Sequence, residues 1–223
     1  MNKVLIIAAH PDDEVLGCGG TIANHTAKGD TVHVLFMTNG LGSRVESSSE
    51  DVLNRQSMAY QSADILGVKS LTFLDFPDNS MDSIPLLNVV KKIEEEVNNF
   101  QPEIIYTHYI GDLNIDHQIT HKAVMTACRP QPGFCVKEIY SFEILSSTEW
   151  SMDKPFTPNN FVEISDTLKL KISAMKLYKI ELRPSPHARS IESIKALAQY
   201  RGYSVGVGFA EGFMVVRMLL RDN

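Results

Sequence analysis

The sequence carries no excess of positive charge. Its 21 Lys and Arg stand against 27 Asp and Glu, a formal net charge of −6, and no basic stripe runs through it. That argues against tracking a phosphate backbone, and the acidic balance argues equally against an anionic membrane surface. No apolar stretch approaches the ~20 residues a membrane helix needs. The apolar run Val4-Leu5-Ile6-Ile7-Ala8-Ala9 stops at His10-Pro11-Asp12, short of the roughly 7–15 residues of a signal-peptide core. Cysteine is scarce and unpatterned: Cys18, Cys128 and Cys135 form an odd set with no C-x-x-C pair. Such a set fits reduced structural thiols and a cytoplasmic location better than a disulfide framework. Repeats and low-complexity tracts are absent too.

What the chain does have is ordinary globular material, 43% hydrophobic and 22% charged over 223 residues, enough for one sizeable core. Residues 1–223 therefore read as a single domain. Val4 to Ala9 is a continuous aliphatic run, the mark of a strand covered on both faces. Residues 15–28 read as a helix ending at Gly29, and Thr31 to Thr38 as a second strand. Then follow helix (Arg55 to Leu66), strand (Ser70 to Phe76), helix (Ile84 to Phe100), strand (Glu103 to Thr107) and helix (Ile119 to Ala127). This alternation predicts a doubly wound, mostly parallel, Rossmann-like α/β sheet with helices on both faces. Beyond Pro130-Gln131-Pro132-Gly133 the rhythm changes to a C-terminal strand and helix extension. It has strands at Lys137 to Ser146, Phe161 to Ile164 and Phe213 to Leu220, and helices at Leu168 to Leu182 and Ile191 to Arg201. Arg44 to Asp51 is the most loop-like stretch, a surface loop or a lid over the crevice.

Ligands of such a sheet sit beyond the carboxyl ends of its strands. Two clusters of acids and histidines fall there: His10-Pro11-Asp12-Asp13-Glu14 after the first strand, and Gly111-Asp112-Leu113-Asn114-Ile115-Asp116-His117 after the fourth. A catalytic zinc takes three protein ligands from imidazole nitrogen and carboxylate oxygen, and keeps one position open. His10 and Asp13, three apart in a turn, can share a metal, and one histidine from the second cluster completes the set. His117 and His121 compete for that place, since an i, i+4 pair can hold one metal; the start of the helix favours His117. Asp12 is left free beside the metal as a base for water, which makes an amide hydrolase. Taken alone, an Asp-Asp-Glu run is most often a helix start where acids meet the dipole. His25 and His33 read as structural, and His108, ending a strand, is ambiguous.

These residues carry a family resemblance. "AAHPDDE" with "GDLNIDH" resembles the LmbE/PIG-L-like N-deacetylases, which remove acetyl groups from N-acetylglucosaminyl compounds. "NRQSMAYQSADILGV", "KLKISAMKLYKIEL" and "FAEGFMVVRMLL" extend the likeness along nearly the whole chain. The resemblance implies zinc, or another divalent transition metal, on His10, Asp13 and His117, and Asp12 as general base. It implies Asp116 as the acid that orients a catalytic histidine, and Arg55 as a substrate contact with Asp112 and Asn114. Many members have a histidine where Asn114 stands; an amide can donate to an oxyanion but delivers no proton. The acid for the leaving amine is then Asp12 itself or His187, in the Pro-rich "ELRPSPHARS" loop. The expected partner is a small N-acetylated sugar, with neither nucleic acid nor membrane insertion, and a homo-oligomer is compatible with the family. The rival readings are a Mg²⁺- or Mn²⁺-dependent phosphoester hydrolase and a non-catalytic sugar- or nucleotide-binding module.

Overall fold

A computed structural model describes residues 1–39 and 49–220. The strands are β1 (Lys3–Ala8), β2 (Thr31–Thr38), β3 (Ser70–Phe76), β4 (Ile104–His108), β5 (Glu138–Phe142), β6 (Asn160–Glu163) and β7 (Ala210–Met218). The helices are α1 (Asp13–Ala27), α2 (Ser49–Leu66), α3 (Leu86–Phe100), α4 (Ile115–Ala127), α5 (Leu168–Met175) and α6 (Ile191–Tyr203). One seven-stranded sheet runs β3-β2-β1-β4-β5-β7-β6. The first five strands pair in parallel, and β7 joins β5 and β6 antiparallel. This is the doubly wound α/β fold with a C-terminal extension that the alternating pattern predicts. Of the expected loop Arg44 to Asp51, residues 44–48 lie outside the described residues and α2 begins at Ser49.

Burial of both sheet faces explains the unbroken aliphatic run of β1. Val4, Ile6 and Ala8 enter one hydrophobic layer with Val34, Phe36 and Phe142, beneath α1, α2, α5 and α6. Leu5 and Ile7 enter the other with Leu35, Ile105 and the α3 positions Val89, Val90, Ile93 and Val97. Strand order reverses between β1 and β4, so the carboxyl ends of these two neighbours open a crevice at the switch point. Both chemistry-bearing clusters sit on its rim.

Two expected elements are shorter than their sequence suggests. The strand begun near Lys137 stops at Phe142, after which the chain turns inward through Ser146, whose φ is 67°. The helix from Leu168 stops at Met175 and continues to Leu182 mostly in i→i+3 turns, with an i→i+4 bond at Leu182. Those tighter turns bring the Tyr178 hydroxyl and the Glu181 carboxylate to the crevice.

α1 contains a break that the sequence does not announce: Cys18 has φ −147° and ψ 23°. A break orphans backbone groups, and a buried ion pair takes them up. The Lys171 ammonium donates to the Leu16 carbonyl at 2.8 Å and to Glu211 at 2.5 Å. Glu211 in turn accepts from the amides of Gly20 (3.0 Å) and Thr21 (2.7 Å). The small residues there are obligatory, since a Cβ on Gly17 would lie 2.4 Å from the Phe142 ring. Among the described residues, no helix is long and apolar enough to cross a membrane. Glu211→Ala leaves Lys171 as a buried unpaired charge and two amides without an acceptor; we expect a loss of about 3–5 kcal/mol in denaturant unfolding. A loss below about 1 kcal/mol would show that the pair is not what holds the break.

Candidate metal centre and catalytic site

At the end of β1 the chain turns tightly, with the Asp13 amide donating to the His10 carbonyl and the His10 amide to the Asp13 side chain at 2.9 Å. His10 Nδ1 lies 3.2 Å from Asp13 Oδ2. His117, from the first turn of α4, places Nε2 3.3 Å from both His10 Nδ1 and Asp13 Oδ2. The three atoms make a nearly equilateral triangle, and all three residues are buried. A tetrahedral zinc with bonds of roughly 2.0–2.2 Å requires ligand-to-ligand edges of about 3.3 Å. Asp13 Oδ1, buried, has no hydrogen-bond partner among the described residues. The donor set and its spacing fit zinc.

The far nitrogens of the two imidazoles face carboxylates, which turns their inner lone pairs toward Asp13. His117 Nδ1 faces Asp112 Oδ1 at 3.0 Å, and His10 Nε2 lies 3.1 Å from Asp78 and 3.2 Å from Asp116. Burial would lower the imidazole of His117, yet Asp13 and Asp112 lift it to about 9. His10 likewise rises against burial through Asp116, Asp13 and Asp78. Burial would raise the Asp13 carboxyl, but His117, His108 and His10 hold it well below the usual range. The pocket is thus built to stabilise positive charge. His108 is the exception: burial and then His117 hold it well below an ordinary histidine. Its Nε2 accepts from the Ala9 amide at 2.8 Å, and its ring stacks on His117 at 3.9 Å. His121, one turn further along α4, donates from Nδ1 to the His108 carbonyl.

Asp12 stands next to the triangle and takes no part in it. Its backbone is strained, with φ 127° and ψ −27°, and Glu14 holds it by accepting from the Asp12 amide at 2.9 Å. Glu14 is fixed by the Tyr178 hydroxyl at 2.6 Å, and burial lifts its carboxyl to about 8. Burial also pushes Asp12 up to about 7, opposed by Arg189 and assisted by Asp13. That value suits a base working at neutral pH.

The residues expected to touch substrate are placed differently. Arg55 is only 3% exposed; it pairs with Glu181, donates to the Pro11 carbonyl (2.8 Å) and lies 3.4 Å from Asp12 Oδ1. Asp112, expected among the substrate contacts, is buried behind His117 instead. Its oxygens are engaged by the hydroxyls of Ser147 and Thr148 and by the Asn114 amide. Asn114 caps α4, accepting from the amides of Asp116 and His117, and its own amide donates to Asn79 at 3.0 Å. Asp116 faces the ligand-triangle histidine His10 and accepts from the amides of Asn79 (2.6 Å) and Met81 (3.0 Å). His187 is exposed, and its Nδ1 accepts from the Arg189 amide.

Sequence reasoning passed over Arg189, Glu181 and Asp78. Asp78 follows β3 directly, so the rule that found the other clusters could have found it. Arg189 lies two residues beyond His187; the loop was legible and the choice among its polar residues was not. Asp112→Asn removes the carboxylate behind His117, and zinc affinity is expected to fall ~10–100-fold in chelator competition. Unchanged affinity would mean that His117 needs no such support.

Residues 5–128, more than half of the chain, match the family described as PIG-L: GlcNAc-PI de-N-acetylase. The diacetylchitobiose deacetylase of Thermococcus kodakarensis is 28% identical over 226 residues, spanning 97% of this chain and 84% of that protein. The 4-oxalmesaconate hydratase of Pseudomonas putida is 26% identical over 196 residues, 78% of this chain and 72% of that one. Among solved structures, the N,N'-diacetylchitobiose deacetylase of Pyrococcus horikoshii, complexed with its inhibitor MPG, aligns with a TM-score of 0.79. Its identity is 25%, over 97% of this chain and 84% of that one.

Proposed function

This chain belongs to the PIG-L: GlcNAc-PI de-N-acetylase family, and from that premise we propose a zinc-dependent hydrolase that removes the N-acetyl group of a GlcNAc-type aminosugar. The observation that carries the reading is the His10, Asp13 and His117 triangle with the strained carboxylate of Asp12 beside it and outside it. His10, Asp13 and His117 would hold the metal, which when bound supplies Lewis-acid polarisation of an acyl oxygen and lowers the pKa of water.

The chain's own residues do the rest. Asp12 takes a proton from the attacking water as general base. Its two oxygens are held from opposite sides by Arg55 and Arg189, so its orientation survives the change of charge. The leaving amine needs a proton, and Asn114, whose amide is tied to Asn79, has none to give. Asp12 therefore returns the proton it took, while His187, on the exposed loop, orders Arg189. Water and amide give acetate and a free amine. The three free cysteines suit a reducing compartment, and the cytoplasm is the location we assign.

Two imidazoles in the donor set favour zinc over the oxygen-seeking Mg²⁺ of a phosphoester hydrolase. A strained base beside a full ligand set has no use in a mere sugar binder. The test is acetate release from N-acetylglucosamine and N,N'-diacetylchitobiose by zinc-loaded, chelated and Asp12→Asn protein. We expect acetate that depends on metal, and at least a ~100-fold loss in Asp12→Asn with zinc retained. Near-full activity of Asp12→Asn would refute its role. Hydration of 4-oxalmesaconate without acetate release would move the protein to the other chemistry seen among its relatives.

A further inference from the structure

Asp12, Arg55, Glu181 and Arg189 close into a ring. Arg55 meets Asp12 Oδ1 (3.4 Å) and Glu181, while Arg189 Nη1 meets Asp12 Oδ2 (3.0 Å) and the other Glu181 oxygen (3.1 Å). Two carboxylates balance two guanidiniums, which is how four charges are tolerated together in so dry a place. The two arginines are not equivalent. The Arg55 side chain is 3% exposed and the Arg189 side chain 22%. Arg189 contacts protein through Nε, to Ser146 Oγ at 2.6 Å, and through Nη1. Its Nη2 has no acceptor among the described residues.

Among the described residues, Arg55 Nε and His108 Nδ1 are donors without a partner, but both are shut off from solvent, and the remaining donors around the centre are committed. His10 and His117 turn inward to Asp13, Arg55 is buried against Glu181 and the Pro11 carbonyl, and Asn114 bonds Asn79. Among the described residues, a negative charge that develops on a group attacked beside Asp12 therefore meets one solvent-accessible, permanently charged donor, Arg189. We propose that Arg189 is a catalytic residue, presenting Nη2 to the acyl oxygen as it becomes negative. This rests on the hydrolase reading above.

The donor is preorganised on both sides, as such stabilisation requires. Ser146, at φ 67°, is fixed by Glu149, which accepts from the Ser146 and Ser147 amides. The Arg189 amide is fixed by His187 Nδ1 at 3.0 Å. Glu181, Ser146 and His187 are positioning residues for this one guanidinium. Arg189 gives no proton; it holds charge where charge appears.

The experiment compares wild type, Arg189→Ala and Arg189→Lys, all zinc-loaded with metal content verified. For acetate release from N,N'-diacetylchitobiose, Arg189→Ala is expected to lose ~100–1000-fold in kcat, the usual effect of removing one oxyanion donor, with KM changed less than about threefold. Lysine, a point charge without the fork, is expected to recover less than about a tenth of the loss, and added guanidinium to rescue the alanine variant in part. In parallel, the affinity of each protein for methylphosphonate, a tetrahedral anion of the size of the attacked acetyl group, is measured by calorimetry. Wild type is expected to bind at least ~30-fold more tightly than Arg189→Ala, in keeping with a charge-assisted contact. Equal affinities, no binding to wild type, or an alanine variant within about threefold of wild-type kcat would each overturn the proposal. Should wild type release no acetate, the hydrolase reading fails, and the methylphosphonate ratio still decides the role of Arg189.

Discussion

The centre depends on burying the carboxylates of Asp13, Asp78, Asp112 and Asp116 around His10 and His117, with His108, held toward its neutral form, beside Asp13. Such a concentration of anions is costly in a sheet-covered crevice unless positive charge sits among them. Both ligand histidines are pulled toward their charged forms by these carboxylates. A divalent cation answers the same demand better. It can take the inner nitrogens as ligands while the outer carboxylates hold the rings in place. The outer carboxylates also reach outward: Asp116 anchors the turn after β3 through two amides, and Asp112 anchors the loop after β5 through two hydroxyls. The loops that rim the crevice are thus tied to the residues that build the metal site.

Strain follows the same map. Among the described residues, four other than glycine have positive φ: Asp12, Asn79, Gln101 and Ser146. Gln101 ends α3, as left-handed residues commonly do. The other three surround the centre, and each is held by side chains that also serve it: Asp12 by Glu14, Asn79 by Asp116 and Asn114, Ser146 by Glu149 and Arg189. Unfavourable backbone conformations persist where the surroundings over-determine them, and here those surroundings are the polar groups of the site. The helix break at Cys18 belongs to this economy. Lys171 and Glu211 heal it from two distant segments, letting the first turn of α1 keep the direction that brings Asp13 to His10.

Much of this was legible before any fold was known. A strand buried on both faces has to be aliphatic throughout, so β1 announced itself, and β2 and β3 were delimited by their β-branched and aromatic runs. The two clusters followed from their place after the first and fourth strand runs, at the carboxyl ends where a parallel sheet binds ligands; the strand order that sets those ends side by side was not in the pattern. Less local features were hidden. The segment from Leu168 to Leu182 has a helical pattern to its end, yet winds tighter after Met175 because Tyr178 and Glu181 have partners 164 and 126 residues away in sequence. Arg189 sits in a loop without periodicity, where nothing in the sequence separates it from Arg183 or His187. Asp112 and Arg55 were expected as substrate contacts from the family resemblance; their burial in ion pairs and hydrogen bonds depends on partners distant in sequence.

Asn114 shows how one substitution redistributes the work. A residue opening a helix is best chosen for its ability to accept from the first free amides, and asparagine is among the strongest caps. In α4 those amides belong to Asp116 and His117, so the cap fixes directly the two side chains that frame His10 from the far side of the crevice. A histidine there could move a proton, but it is a poorer cap for the turn that carries His117. With asparagine in place, proton transfer and charge stabilisation fall to the opposite wall. Asp12, buried and raised to about 7, can both take and return a proton, and a guanidinium that never titrates can hold negative charge beside it. The division of labour is then one wall for the metal, built from carboxylate-braced imidazoles, and one wall for the reaction, built from a ring of two acids and two arginines.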